Sequence, residues 1–421
     1  MQDLFDKEDK ATEKLVPILS YADKAQSPPC SSSRYYINPV NGNSFICPPQ
    51  SGVVIRFEIP AGSIGSHLHC AETCLSLTLQ NVSGASLTFE GSAYSLIERV
   101  EVYYGSQQIS SIAGYGNFAT ILQDFTGGTG THFLKGQETA TTGRILAASA
   151  TDTFVLPLIN CIGSLALKCI PLSELRDNIR VEIHMCPCLD FGVWSVTPGT
   201  VGPTITDAKL WLTNIQLQGD VHSALVASVN GRLKVPCFDV ENYKTSIVSN
   251  VGQFNHTIPV KVSSLTMVIV SLREAGQLNV FGGRPMQRTR STLSSYQFRI
   301  GSYAVPSALV RCDGTAAEAR MELCRAMNNL NIPTAESYVS TTNYSAGTAT
   351  SLNNVVGSFC FALNLSAMGA AEILSDGKNV RLENLSVEMK FSGGNVALIA
   401  DFYCLHEKLL CIENSQLTYK N

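Results

Sequence analysis

Few residues have the types and spacing to do chemistry. His67-Leu68-His69-Cys70, with Cys74 four residues on, is the best metal-like group. Alternate residues on a strand share a face, so His67 and His69 could point together, with Cys70 and Cys74 as further ligands. A structural zinc site needs four ligands, and the usual Cys-x-x-Cys spacing is absent, so the favoured reading is ordinary strand and loop residues. His184-Met185-Cys186-Pro187-Cys188 is similar, but Cys-Pro-Cys is too tight for a zinc knuckle. Arg284, Arg288 and Arg290, with Arg299 beyond, form the densest cationic run. They read as a solvated loop meeting carboxylates of another subunit, with nucleic-acid contact on an inner surface as the lesser reading. No nucleophile elbow, phosphate-binding glycine loop or HExxH helix is present, and Gly282-Gly283 has no Gly-Lys-Ser/Thr after it. The expectation is no catalytic residue, no cofactor, no resident metal and no small-molecule substrate.

Composition points the same way. The chain has 421 residues, enough for two ordinary domains. Charged residues make up 15%, below the usual quarter, against 45% hydrophobic. Such a chain presents Ser, Thr, Asn and Gly to solvent, or buries much of its surface against other chains. A net charge of -4 offers no global attraction to nucleic acid or anionic membrane. No apolar run reaches the roughly 18–20 residues a membrane span needs. The start, MQDLFDKEDKATEK, lacks an apolar signal region. The 14 cysteines sit mostly in apolar strand-like runs (Cys169, Cys237, Cys360, Cys404), as buried free thiols of a reducing compartment do. Asn-x-Ser/Thr triplets at Asn81, Asn255, Asn343, Asn364 and Asn384 then read as chance.

The elements that would position these residues are strands. Tyr296–Ile300 alternates aromatic and branched residues, Gly301-Ser302 is a tight turn, Tyr303–Val305 returns and Pro306 stops the strand. A helix over Thr315–Leu330 follows, with Thr315 and Glu318 as a capping box and Ala319, Leu323, Ala326, Met327 and Leu330 on one face, closed by Pro333. The same order occurs earlier: Val100–Tyr104, Gly105-Ser106, Gln107–Ile112, then a helix over Asn117–Phe125. A second echo is Leu-x-Asn-aliphatic-x-aliphatic at Leu212–Leu217 and Leu382–Val387. Together they predict a duplicated β-domain. Further strands are expected at Val53–Pro60, Cys74–Val82, Ser95–Tyr104, Thr153–Leu158, Ile179–Met185 and Ala208–Gly219, and a second set begins near Arg232. Uneven loops between short strands indicate sandwiches, not a parallel α/β sheet. Residues 1–50 read as an arm, broken at Pro17, and Ser337–Asn354 as an exposed Thr/Ser/Asn/Gly loop.

GSAYSLIERVEVYYGSQQI with its following helix, then FVLPLINCIGSLALKCIPLSELRDNIRVEIHM, then YQFRIGSYAVP in a second β-half, resembles the double jelly-roll major capsid proteins of eukaryotic DNA viruses, particularly polinton-like viruses and virophages. IPLSELRDNIRVEI, a proline-led short helix before an amphipathic strand, is its most specific part, and the likeness covers roughly residues 35–412. The chain is shorter than many relatives, which implies trimmed loops.

The resemblance implies an all-β chain of two tandem jelly-roll sandwiches with short inserted helices: an arm at 1–50, a first jelly roll at 51–225, a second at 226–412 and a tail at 413–421. It implies a homotrimer of pseudo-hexagonal outline tiling an icosahedral shell around double-stranded DNA, sometimes with an internal membrane. The expected partners are further copies of the chain, neighbouring capsomers, and penton and minor capsid proteins, with weak contact to genome or membrane. The expected location is the virion, assembled in the host cytoplasm or nucleus. Two other readings stay open. One is a capsid protein with a single jelly roll and a projecting β-domain, although the mixed charges of Met1–Gln26 do not make a genome-binding arm. The other is a secreted β-sandwich adhesin or lectin, which would need a signal peptide.

Overall fold

A computed structural model describes residues 30–89, 91–126, 144–159, 169–197, 202–327, 339–345, 357–366, 377–413 and 415–420. The apolar patch Leu15–Leu19, most of the Ser337–Asn354 loop, Leu330 and Pro333 lie outside the described residues.

The first half runs β1 (Cys30–Ile37), β2 (Val54–Ile59), β3 (Ser66–Leu68), β4 (Cys74–Gln80), β5 (Ile97–Tyr104), β6 (Gln107–Ala113), helix α1 (Tyr115–Thr126), β7 (Thr151–Pro157), β8 (Ile170–Pro171), β9 (Ile179–Met185) and β10 (Thr204–Leu217). In one sheet β10 lies between β1 and the broken strand β3/β4, which in turn carries β8 and β7. The other sheet has the order β2-β9-β5-β6. Counting β3/β4 and β7/β8 as one strand each gives eight strands, ordered 1-8-3-6 and 2-7-4-5, all antiparallel. That is the double Greek key of a jelly roll.

Helix α2 (Gly219–Ser228) leads to the second half: β11 (Leu233–Ile247), β12 (Gln253–Ile258), β13 (Leu265–Glu274), β14 (Leu293–Ile300), β15 (Tyr303–Arg311), helix α3 (Ala317–Ala326), β16 (Cys360–Asn364), β17 (Leu385–Phe391) and β18 (Leu398–Glu413). Its sheets are β11-β18-β13-β16 and β12-β17-β14-β15, the same two orders again. A single jelly roll with a different projecting domain is therefore not what this chain builds.

The first sequence echo marks equivalent places. In both halves the fourth and fifth strands form a hairpin closed by a two-residue Gly-Ser loop, with Gly105 at φ +55° and Gly301 at φ +57°, and a helix follows. Only glycine takes that first turn position without strain. The second echo is a coincidence. Leu212–Leu217 lies in the eighth strand of the first roll, whereas Leu382 precedes the seventh strand of the second and is 98% exposed. The proline-led turn of IPLSELRDNIRVEI is a 3-10 turn at Leu172–Glu174.

Several expectations need correction. Residues 30–37 are not arm: they pair along their whole length with β10, and Phe45–Ile46 pairs with its start. Residues 416–420 are not a loose tail but a strand, β19 (Gln416–Lys420), folded back on β18. Pro306 does not stop β15, which continues to Arg311 through a cis Val305-Pro306 bond. An edge strand tolerates proline because its outer N–H needs no partner. The capping box at Thr315 is absent: Ala316 precedes α3 in the left-handed region, and the Glu318 carboxylate accepts the Arg311 N–H at 2.8 Å. Helix α2 was unforeseen, and the expected boundary at 225 falls inside it.

Burial explains the strand patterns. β2 and β4 alternate, because one face of each is open. β13 and β18 are buried almost throughout, which is why LTMVIVSL and ALIADFYCL read as largely apolar runs, the second interrupted by Asp401. On α3, Ala319 and Leu323 are buried, with Ala326 and Met327 packed at the margin of the core. We expect Leu323→Asp to unfold the second roll at a cost of roughly 3–5 kcal/mol. Met321→Asp on the same helix, 47% exposed, should stay within about 0.5 kcal/mol. Urea titration of both variants checks the assignment of the face.

Candidate functional site

Among the described residues, a dense set of polar contacts forms the seam where the two jelly rolls meet. β6 ends at Ala113, and Gly114 turns the chain into α1. Gly114 has φ +61°, and a Cβ there would lie 2.8 Å from the Tyr403 hydroxyl, so neither the turn nor the close approach admits a side chain. Tyr403 projects from β18 away from its own sandwich, since its neighbour Phe402 stacks inward on His256 of the facing sheet at 5.2 Å.

The first roll grips this outer face of the second through α1. Asn117 Nδ2 donates to Ser271 Oγ at 3.1 Å and to the Tyr403 hydroxyl at 3.0 Å, and that hydroxyl donates to the Gly114 carbonyl at 3.0 Å. The Phe118 ring lies 5.3 Å from that of Tyr403, and Phe125 meets Tyr344 edge-on at 6.2 Å. At the last turn of α1, Asp124 accepts from Arg288 Nη2. Along β6, Ser110 Oγ donates to Asp239 Oδ1 at 2.6 Å, while Lys408 Nζ bonds Asp239 Oδ2 at 2.7 Å and the Ile109 carbonyl. Beyond, Tyr104 donates to the Ser415 carbonyl at 2.7 Å, and Asp190 accepts the Asn279 N–H at 2.6 Å. Behind the seam, Arg273 holds Asp401 by two N–H groups at 2.7 and 3.0 Å. Burial pulls the Arg273 pKa down, but the Asp401 charge outweighs it and holds it above the ordinary value. Burial pushes the Tyr403 phenol up.

The arginine run is thereby reassigned. Arg288 is no surface residue: its side chain is fully buried against α1. Arg290 is half-buried and donates to the carbonyls of Cys312 and Gly314 at 2.5 and 3.1 Å, and Arg284 is half-buried beside Gln277. The run is structural: the Asp124 carboxylate takes Arg288 Nη2, and two backbone carbonyls take Arg290 Nη1.

The candidate metal residues do not converge. β3 ends at Leu68, so the alternation that would align His67 with His69 breaks there. His67 is buried with Nδ1 2.9 Å from the Gly65 carbonyl and its ring edge-on to His222 at 5.3 Å. His69 lies 3.7 Å from Glu72, the Cys70 thiol donates to the Leu68 carbonyl, and Cys74 sits by Arg34. Among the described residues, the one cluster with three close ligand atoms is Glu101, Glu182 and His184. Arg56, Arg99 and Arg180 already pair with these carboxylates. Burial pushes the Glu101 carboxyl up, but Tyr103, His184 and Arg99 outweigh it and hold it below its usual value. Cys186 and Cys188 lie elsewhere, as buried thiols. Burial pushes the Cys188 thiol, like those of Cys237, Cys312 and Cys360, up to about 12, which leaves them unreactive. Asn81 is buried and hydrogen-bonded to the Ala85 carbonyl, so it is no glycosylation acceptor.

Sequence reasoning missed Asp124, Asp239, Asp401 and Lys408. Their signal is present: each is a charge inside an otherwise apolar run, as in ALIADFYCLHEKLL.

No family model matches the sequence, and no curated protein matches it significantly. Solved structures do match. PBCV-1 VP54, as fitted into a reconstruction of the virophage Sputnik, superposes with TM-score 0.62 at 10% identity, covering 96% of this chain and 100% of that one. The Faustovirus major capsid protein gives TM-score 0.61 at 10% identity, with 95% and 94% covered. The mavirus major capsid protein gives 0.52 at 10% identity, with 97% and 94% covered. At this identity the likeness is one of fold, and it runs through both jelly rolls.

Two outcomes test the seam. Asp124→Leu strands the Arg288 charge in the interior and should cost roughly 3–5 kcal/mol, while Asp124→Leu with Arg288→Met should recover most of it. A double-mutant cycle in urea measures both. The second concerns pH. Burial holds the pKa of His406 below its ordinary value, against Asp239 and Glu241 and with Lys408. The unfolded chain therefore takes the proton first. Stability should be complete above roughly pH 6.5 and fall as pH drops toward the folded pKa. His406→Leu should flatten the melting temperature between about pH 7.5 and about pH 5, which calorimetry reads.

Proposed function

We propose that the chain is a major capsid protein of a DNA virus, a non-enzymatic shell component that assembles as a homotrimer of pseudo-hexagonal outline. The observation that carries this reading is that the seam inside the chain leaves its two complementary halves free at the ends. β6 and α1 of the first roll cover the outer face of β11, β18 and β13. Their counterparts in the second roll, β15 and α3, have no third roll to cover, and Tyr303 is 74% and Met321 47% exposed. The counterpart receiving face, on β1, β10 and β4, is half-open. There Trp211 stands in the outward position on the eighth strand, as Tyr403 does on β18, with Tyr36 at 5.1 Å and Arg34 over its ring.

A head-to-tail contact of the same kind as the seam, repeated between chains, closes after three chains and six similar rolls. The low charge fits extensive burial between chains. The structural neighbours named as major capsid proteins support the role. In this reading the virion is the protein's place, and neighbouring capsomers, penton and minor capsid proteins are its partners.

Light scattering of the purified chain should give three times 45.4 kDa, and negative stain should show a three-fold or pseudo-hexagonal outline. Trp211→Asp and Tyr303→Asp should each reduce the particle to a folded monomer with little change in far-UV signal. A wild-type monomer would sink the reading.

A further inference from the structure

A cavity of about 850 Å³, within the range of ligand pockets, lies between α2, the end of β10 and the start of β11. Ile215, Leu217, Leu225, Val229 and Val235 make most of its wall apolar. Its two cations need no ligand: Arg232 is exposed and paired with Glu413 at 2.9 Å, and Lys234 is exposed to solvent.

One buried polar side chain belongs to the wall. His67 pairs with Ile215 of β10 on one side and with Pro171 of β8 on the other. Paired residues on neighbouring strands point to the same face, and Ile215 and Pro171 both line the cavity, so His67 projects into it with them. The residue is only 8% exposed. Its Nδ1 lies 2.9 Å from the Gly65 carbonyl, which can only accept, so Nδ1 carries the proton. Burial holds the ring's pKa below the ordinary value, which keeps the ring neutral at neutral pH. Nε2 is then an acceptor, and among the described residues nothing donates to it. A buried acceptor is costly to leave in that state. A water bound there lacks, in an apolar wall, the further partners that would hold it. A hydroxyl at the end of an apolar body needs only the one.

We propose that this cavity binds a neutral lipid with a single hydroxyl, of the long-chain alcohol class, its hydroxyl donating to His67 Nε2 and its chain lying on Ile215, Leu217, Leu225 and Val229. The chain covers the side of α2 that the fold leaves open, where Leu225 and Val229 are each 39% exposed. A carboxylate head fits less well, since it has no proton to give Nε2 and brings a charge against an apolar wall. The site is complete within one chain and does not rest on the capsid reading.

The test is calorimetric titration of the full chain with decanol, decyl methyl ether and decanoate, three probes that share an alkyl chain. Decanol should saturate at one per chain. The ether, which has no proton to donate, should bind about tenfold more weakly, the worth of one hydrogen bond, and decanoate should also bind more weakly than decanol. Leu225→Trp, at a position outside the core, should fill the cavity and abolish binding without lowering the melting temperature. His67→Phe should bind decanol and the ether equally. Decanol should also slow alkylation of Cys169, which lines the cavity, and leave that of the half-buried Cys324 on α3 unchanged, as peptide mass spectrometry reads. No saturable decanol binding, equal binding of decanol and the ether by the wild type, tighter binding of decanoate, or equal protection of both cysteines would each overturn the proposal. Trimer mass is read separately, so this result and the capsid reading fail independently.

Discussion

A buried guanidinium has to find its counter-charge before a fold can close over it. Arg288 finds Asp124 on the helix of the other jelly roll, and this requirement sets how the two halves meet. Burying two charges costs several kcal/mol that their attraction only just returns, so the pair adds little net stability. Its effect is on geometry. Asp124 lies at the end of α1, and Asn117 two turns earlier reaches Ser271 and Tyr403. With both ends of the helix anchored, the rolls cannot slide by one strand spacing without stranding a charge or an amide. Asp239, held by Ser110 and Lys408, repeats the same logic along β6.

The seam also explains why two halves with one topology have such different surfaces. In the second roll the outer face of β13 and β18 lies under the first roll, and Ser271, Arg273, Asp401 and Tyr403 are all buried there. In the first roll the matching face keeps Lys209 and Trp211 partly open, and β4 alternates cleanly. Duplication alone would leave these faces alike. The difference is what one covered and one uncovered copy of a single interface would produce, and it gives the chain a direction.

Much of this was legible in the residues. The Gly-Ser hairpin followed by a helix marked the same place in both rolls, because a two-residue turn with positive φ leaves a strong local signature. The largely apolar runs in β13 and β18 recorded burial on both faces, although the partner that buries them could not be read from them. The failures were of three kinds. Pairing across long separations is invisible locally, so Cys30–Ile37 looked like an arm although β10 holds it nearly two hundred residues away. A charge in a loop looks solvated until its partner is known, and Arg288 needed Asp124 to become a core residue. The Leu-x-Asn match failed because a six-residue alternating pattern fits most strands, whichever position they hold in the topology.

The linking helix α2 shows where local and global demands part. Its sequence, GDVHSALVAS, is short for an isolated helix, yet it must carry the chain from the last strand of one roll to the first of the next. His222 holds it at one point, with Nε2 2.8 Å from Glu174. Of its ten residues only His222 is buried, and Leu225 lines a cavity beside the link. If α2 were packed into one roll, that roll would hold the link by itself, and the seam would have to accept whatever angle resulted. Left on a cavity of its own, the link conforms to the angle that Arg288, Asn117 and Lys408 impose. The polar contacts of the seam, and not the connection between the rolls, therefore set the orientation that any further copy of the interface would repeat.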